Sequence, residues 1–227
     1  KAELQVRGHR ASVLYVNHLL LEMMGPASQA TLSIYQDVSD AFGTHLGEWI
    51  FVDEAFPDQS SAARDEEYIA LLTKHGTAPG LIEAACKLRA QAGQFLNLAL
   101  ERFDWLAFDV VGFANTFSQL NASIALARRL RERFPDLPFI AGGSGCSDDM
   151  GVGVAGTSNL FRAVALGEAD EIIADLCEAV ASGDDAILAK VPGIAFRSKD
   201  GSVTSSPPKE RVTQMNDLPI PQFDDYY

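Results

Sequence analysis

The residues that decide the fold are 108–145, which read FDVVGFANTFSQLNASIALARRLRERFPDLPFIAGGSG. Two short apolar runs, at 110–113 and 137–141, flank a segment whose apolar residues recur at three- and four-residue steps until Pro135. The runs predict strands, the first of them buried on both faces, and the steps predict an amphipathic helix over 120–134. Because a strand, a helix and a strand with short joints form a βαβ unit, we expect the two strands to be parallel.

The loops that follow the strands form the candidate binding site, because ligands of parallel sheets bind at the carboxyl ends of the strands. A third strand is predicted at 163–166. The residues after the first strand are polar or aromatic: Asn115, Thr116, Phe117, Ser118 and Gln119. The residues after the second strand are small: Gly142, Gly143, Ser144 and Gly145. The third strand is followed by Gly167, which lets backbone approach a ligand, and by Glu168, which can accept hydrogen bonds.

The remaining patterns extend this unit into an α/β fold. Residues 11–17 predict a further strand, and residues 18–105 predict a long, mostly helical insertion. A helix is predicted at 170–181, and Asp200-Gly201 between short apolar runs predicts a hairpin. We therefore expect a Rossmann-like (flavodoxin-like) three-layer αβα parallel sheet with a helical insertion and a C-terminal β-hairpin. This domain would span 1–205, and residues 206–227 would form an extended linker.

The composition narrows the classes of function. With 31 acidic against 18 basic residues the net charge is −13, which disfavours nucleic acid and anionic membranes as partners. No apolar run approaches the roughly 20 residues of a membrane span. Three widely spaced cysteines fit a reducing cytoplasm. No nucleophile–base pair and no metal-ligand spacing is recognisable, so no catalytic and no metal-binding residue is assigned.

A glycine motif leaves a second class of ligand open. Gly151, Gly153 and Gly156 match the dinucleotide fingerprint G-x-G-x-x-G. That fingerprint functions when its first glycine turns directly out of a buried strand into a helix. Here the preceding predicted strand ends about ten residues earlier. The alternatives are therefore a nucleotide (NAD or flavin) site and a small-residue helix that lies close to a neighbouring element.

Several motifs in order resemble one known family. They lie at 109–119, 125–129, Pro135, Gly142-Gly143, Gly167-Glu168 and 217–221, together with GEWIF at 47–51. This order resembles the N-terminal cobalamin-binding domain of radical S-adenosylmethionine enzymes. It is most similar to the enzymes that mature ribosomally made peptides (RiPPs), where a C-methyltransferase role is usual.

The resemblance implies a cofactor and a larger enzyme. Cobalamin would lie over the carboxyl edge of the sheet, held by the three loops named above. The D-x-H-x-x-G signature is absent, so cobalt would lack a lower histidine ligand. The C-x-x-x-C-x-x-C motif that holds a [4Fe–4S] cluster is also absent. We expect it, with the S-adenosylmethionine site, in the chain's own C-terminal radical domain beyond Tyr227, so that the present chain is not catalytic alone.

Three further expectations follow from this reading. The substrate of the whole enzyme would be a peptide or another natural-product precursor. Because the chain opens in mid-helix before residues 11–17, we expect a strand upstream of Lys1. A vestigial domain that only docks the catalytic domain is the remaining alternative, and its sign would be large side chains filling the space above Gly143.

Overall fold

A computed structural model describes residues 1–157, 159–207 and 213–226. The chain divides into two compact units. The first unit comprises Lys1–Tyr15, Leu106–Thr116 and Phe134–Tyr227. The second comprises Val16–Trp105 and Phe117–Arg133. The predicted boundary of one domain at 1–205 stays a prediction, and residues 208–212 and 227 of the predicted linker lie outside the described residues.

The helices and strands follow one another in a simple order. The α-helices are α1 (Ala2–Val6), α2 (Val16–Met24), α3 (Gln29–Asp40), α4 (Leu46–Ala55), α5 (Ala62–Lys74), α6 (Pro79–Arg102), α7 (Leu120–Arg133), α8 (Asp148–Thr157), α9 (Ile173–Ser182) and α10 (Asp185–Leu188). The strands are β1 (Val111–Ala114), β2 (Phe139–Gly142), β3 (Phe161–Ala165), β4 (Ile194–Arg197) and β5 (Val203–Ser205). The predicted alternation of strand and helix from 108 onward is confirmed.

The first unit contains a mixed five-stranded sheet in the order β1-β2-β3-β4-β5. The first three strands are parallel, as predicted, with Val111 beside Phe139 and Phe139 beside Phe161. The predicted hairpin is also confirmed, because β4 and β5 pair antiparallel. It joins the same sheet through an antiparallel pairing of β3 with β4, so the sheet as a whole is mixed rather than parallel.

Helices cover both faces of this sheet. Apolar residues of β2, β3 and β4 pack with α9 and α10 in one cluster of buried side chains: Ile140, Ala163, Ala165, Ile172, Leu176, Val180, Leu188, Ile194 and Phe196. Adjacent strand residues point to opposite faces. Arg197, next to Phe196, donates to the carbonyl oxygen of Gly156 in α8. Helix α8 therefore covers the face opposite to α9.

Strand β1 differs from its prediction. Gly112 and Ala114 are exposed, and Val111 and Phe113 are only half-buried. The prediction that this strand is buried on both faces is wrong, because β1 ends the strand order of the described sheet. Its inner side is nevertheless packed, since the Phe113 ring meets those of Phe139 and Phe161 edge-on at 5.8 and 5.6 Å between centroids.

Residues 11–17 do not form the predicted strand. Residues 11–15 have no regular structure, and α2 begins at Val16. The backbone N–H of Val13 donates to Asp225 Oδ2 at 2.7 Å instead of to another strand. Asp225 also pairs with Lys1 Nζ at 2.9 Å, and Tyr15 meets Tyr226 edge-on at 4.9 Å. Val13 and Tyr15 therefore contact Asp225 and Tyr226 of the C-terminal tail instead of a neighbouring strand.

The second unit is helical, which confirms the helical character predicted for 18–105. Helix α7 packs against α4 and α6. The core of this unit contains large buried side chains from these helices: Leu46, Ile50, Phe51, Leu88, Phe95, Leu96, Ile124 and Leu130. Arg129 links the three helices, donating to Glu54 Oε2 at 2.7 Å and to Asn97 Oδ1 at 2.9 Å. In the described part of the chain no helix is long and apolar enough to cross a bilayer.

Candidate functional site

The loops after β1 and β2 are joined by their backbones in the first unit. The N–H of Asn115 donates to the carbonyl of Gly142 at 2.7 Å, and the N–H of Gly145 donates to the carbonyl of Asn115 at 3.0 Å. A 3₁₀ turn over Ser144–Cys146 follows at once. These bonds make the two predicted loops one continuous backbone surface at the carboxyl edge of the parallel strands.

The backbone contact between the two loops requires glycine at two positions of the loop after β2. Gly143 has φ +94° and ψ 175°, a conformation that is essentially restricted to glycine. A Cβ on Gly143 would overlap the carbonyl oxygen of Asn115, and one on Gly145 would lie 3.0 Å from the carbonyl oxygen of Thr116. Gly143, which has no side chain, and Ser144 are both exposed. These residues therefore combine tight loop packing with an open backbone face.

The loop after β3 is joined to the second loop in the same way. The N–H of Asp148 donates to the carbonyl of Leu166 at 2.9 Å. Gly167 follows half-buried, and Glu168 is exposed. The structure thus connects Asn115 and Thr116 through the second loop to the residue that precedes Gly167, as the parallel arrangement predicts.

Asn115 lies beneath this surface rather than on it. Its side chain is fully buried, and its Nδ2 donates to the carbonyl of Phe113 at 3.2 Å and lies 3.8 Å from Cys146 Sγ. Its Oδ1 has no hydrogen-bond partner among the described residues. Burial raises the pKa of the Cys146 thiol, against a smaller opposing effect of Asn115. Cys146 is therefore an inert buried thiol at neutral pH rather than a nucleophile.

The rest of the first loop belongs to the second unit. Phe117 is 70% exposed, and its ring lies 5.4 Å from that of Phe42. Ser118 has φ +62°, and its Oγ is buried without a partner among the described residues. Gln119 is exposed, and its carbonyl accepts the N–H of Ser123 at 3.0 Å. Left-handed backbone at a serine and an unpaired buried oxygen are forms of strain that accumulate at functional loops.

Two residues that the sequence did not assign to the site hold this loop. The Glu48 carboxylate accepts the N–H groups of Leu120 and Asn121 at 3.0 and 2.7 Å. A Cβ on Gly47 would lie 2.6 Å from the Cβ of Ser118. Both residues lie in the GEWIF segment at 47–51, and its resemblance to the family was the sequence signal available for them. Their contacts with residues 118–121 are visible only in the tertiary structure.

The G-x-G-x-x-G motif does not have the fingerprint geometry. Gly151 lies inside α8, and a Cβ there would overlap the carbonyl oxygen of Cys146. Gly153 is exposed, and apart from its chain neighbours and the nearby backbone of α8 none of the described atoms lies within 4 Å of its Cβ position. The first glycine thus serves close packing, as in the small-residue alternative, and does not form a turn between a strand and a helix.

The described residues contain no group of three or more His, Cys, Asp or Glu side chains arranged to hold a metal ion. No protein-family model matches the chain, and no curated protein is significantly similar to it.

Proposed function

We propose that this chain is the cobalamin-binding domain of a radical S-adenosylmethionine enzyme, a C-methyltransferase that acts on a ribosomal peptide or another natural-product precursor. The fold that goes with this function is a three-layer Rossmann-like domain with a helical insertion. The identity of the cofactor rests on the ordered motifs. The proposed location of the site is the carboxyl edge of β1, β2 and β3.

The observation that carries the proposal is the exposed backbone at Gly143 and Ser144. It lies at the carboxyl end of the central parallel strand, between loops from both neighbouring strands, where parallel sheets bind ligands. The three atoms nearest to the Cβ position of Gly143 all belong to the backbone of Asn115. The vestigial domain, whose sign would be large side chains over Gly143, stays an alternative that cobalamin retention decides.

The chemistry of this edge fits a corrin. A corrin ring is broad and flat, and its rim carries neutral amides that donate and accept hydrogen bonds. Backbone groups at Gly143 and Ser144, the Thr116 hydroxyl and the Glu168 carboxylate are suitable partners for such amides. These residues would hold the rim of the cofactor.

The role of the chain in the enzyme is binding and orientation. Bound cobalamin supplies the methyl group in enzymes of this kind. The loops would fix the tilt and depth of the ring relative to the downstream catalytic domain, because rigid backbone contacts position a cofactor more exactly than mobile side chains. No proton transfer is assigned to this edge.

Charge at the helix starts disfavours the nucleotide alternative. Nucleotide folds place phosphate at a helix N-terminus that follows a parallel strand. Here the first turn of α8 contains Asp148 and Asp149, and the start of α7 is occupied by the Glu48 carboxylate. Carboxylates repel phosphate at these positions. The ligand of this edge should therefore be one that does not require phosphate contacts there.

Retention of cobalamin by the purified chain tests the proposal. Hydroxocobalamin is added in excess, free cofactor is removed by desalting, and the visible spectrum of the protein fraction is recorded. We expect stoichiometric retention with absorption bands displaced from those of the free cofactor. Passage of all cobalamin into the small-molecule fraction, for this chain and for a longer chain that includes the downstream domain, would contradict the proposal.

Two tryptophan variants localise the binding. Ser144→Trp places a large ring on the exposed edge and should abolish retention without lowering the melting temperature. Ala181→Trp places the same ring on the exposed C-terminal end of α9 and should leave retention unchanged. Equal retention by both variants would exclude this edge. Melting-temperature shifts with NAD or FMN but not with cobalamin would favour the nucleotide alternative instead.

A further inference from the structure

Glu48, a residue of α4, caps the start of helix α7. Glu48 accepts the N–H of Leu120 at 3.0 Å with Oε1 and the N–H of Asn121 at 2.7 Å with Oε2. The first N–H groups of a helix have no partner within the helix, and the helix dipole favours negative charge beside them. A carboxylate that accepts two of them satisfies both requirements.

The bond between α4 and the start of α7 is reciprocal. The side-chain amide of Asn121 donates to the backbone carbonyl of Glu48 at 3.0 Å. Three hydrogen bonds therefore join one residue of α4 to two residues of α7. Glu54 also joins the two helices, through Arg129, but it lies on a later turn of α4 and contacts no backbone N–H of α7 in the bonds described.

The residue before Glu48 brings the two segments close enough for this contact. A Cβ on Gly47 would lie 2.6 Å from the Cβ and 2.9 Å from the carbonyl oxygen of Ser118. Ser118 is itself held at φ +62°, which serine rarely adopts. Gly47 and Glu48 thus fix residues 118–121, from the strained serine to the first turn of the helix.

We propose that Glu48 is a positioning and specificity-determining residue for the second-unit part of the loop after β1, residues 117–121. Its carboxylate is a resident anion that holds the loop after β1 in its binding conformation and denies the start of α7 to phosphate ligands. The first N–H groups of α7, which a phosphate could otherwise contact, are bound here by the chain's own carboxylate. This inference deepens the proposed function, because Ser118 and Gln119 of the fixed segment are among the residues predicted to bind the cofactor.

Removal of the carboxylate tests the resident-anion role on the chain without cofactor. Glu48→Ala should lower the melting temperature by about 3–6 °C. Sodium formate or inorganic phosphate should then raise the melting temperature of Glu48→Ala more than that of the wild type at equal ionic strength, because a small anion can replace the carboxylate. Equal shifts in both proteins would overturn the inference.

Two controls separate this effect from general losses of charge or packing. Glu66→Ala removes one exposed negative charge from α5, and Glu54→Ala removes a different acidic link between α4 and α7. Neither variant should gain an anion-dependent rise beyond that of the wild type. If Glu48→Ala folds only in formate, the inference is supported. If Glu48→Ala folds in neither buffer and Glu48→Gln is as stable as the wild type, the negative charge is not needed and the inference fails.

Cobalamin retention distinguishes positioning from stability alone. In folded Glu48→Ala we expect about a tenfold weaker affinity for hydroxocobalamin, recovered with formate, because the loop loses its preorganisation. Unchanged affinity would overturn the positioning role while leaving the proposed function intact. If the wild type retains no cobalamin, the proposed function fails, yet the anion-dependent stability of Glu48→Ala still decides whether Glu48 is the resident anion.

Discussion

The backbone of Gly143 lies directly against the carbonyl oxygen of Asn115, with φ +94° at the glycine. The N–H of Gly145 donates to the same oxygen at 3.0 Å. The carbonyl oxygen of Asn115, after β1, therefore contacts both Gly143 and Gly145 in the loop after β2. The contact between the two loops explains why both positions are glycine. The exposed residues Gly143 and Ser144 remain available to a ligand.

Gly143→Ala should destabilise the protein by about 2–3 kcal/mol, because the added methyl group meets backbone and the residue must keep a conformation suited to glycine. Urea denaturation followed by circular dichroism measures the change. Asn115→Ala cannot relieve the clash, since the opposing atoms are backbone, so the double variant should be no more stable than Gly143→Ala. Recovery in the double variant would show that the side chain causes the conflict.

The glycines of α8 should respond differently to alanine. Gly151→Ala should cost about 2–3 kcal/mol, because its Cβ would overlap the carbonyl of Cys146. Gly153→Ala should stabilise the protein by about 0.5–1 kcal/mol, because it is an exposed helical glycine with space around it. Equal effects of the two substitutions, measured by the urea midpoint, would contradict the assignment of Gly151 to packing.

Arg89→Lys should destabilise the second unit by about 1–3 kcal/mol. Nη2 of the guanidinium lies 2.9 and 3.0 Å from the two carboxylate oxygens of Asp65 and 2.5 Å from Asp53 Oδ2, while Nη1 donates to the carbonyl of Trp49. The guanidinium also lies 4.6 Å from the centroid of the Trp49 ring. An ammonium group cannot reproduce this fork. Arg64→Lys, on an exposed position of α5, is the matched control and should change the unfolding midpoint little.

Acid should weaken the pair formed by Arg162 and Asp185. The hydrogen bond from Arg162 is the main cause that holds the pKa of Asp185 below its ordinary value. A carboxyl group whose pKa is lower in the folded state stabilises the protein above its unfolded pKa of about 3.9, and this contribution is lost as the pH falls through the folded pKa. The stability difference between the wild type and Arg162→Gln should therefore shrink between pH 6 and pH 2.

Titration of Asp185 by NMR checks the same point directly. Its pKa should rise toward the ordinary value in Arg162→Gln and stay low in Arg10→Gln, which changes an exposed arginine of the same unit. A pKa of Asp185 that is equal in all three proteins would remove Arg162 as the cause.

Local patterns predicted most of the regular structure. These patterns depend only on residues that are close together in the chain. They are the three- and four-residue spacing of apolar residues in α7 and α9, the short apolar runs of β2 and β3, and the Asp200-Gly201 turn of the hairpin. The parallel pairing of the first strands followed from the short joints around α7. The loops of the candidate site were predictable for the same reason, because they begin where the strands end.

Contacts between distant residues were not predictable in this way. Glu48 reaches Leu120 across 72 positions, and Asp225 reaches Val13 across 212. No spacing rule connects such residues, so the capping of α7 was missed and residues 11–17 were assigned to a strand. The burial of β1 was overestimated because an apolar run does not reveal whether its strand is central or at an edge.

The contact between Asp225 and Val13 has a consequence for association between molecules. Residues 11–17, ASVLYVN, combine β-branched and aromatic side chains with low charge, a composition that favours intermolecular strand pairing. The N–H of Val13 in this segment donates to the side chain of Asp225, which cannot continue a ladder of backbone hydrogen bonds. Asp225→Ala would free the N–H of Val13 for strand pairing with another copy of the chain, and we expect the variant to aggregate more readily than the wild type.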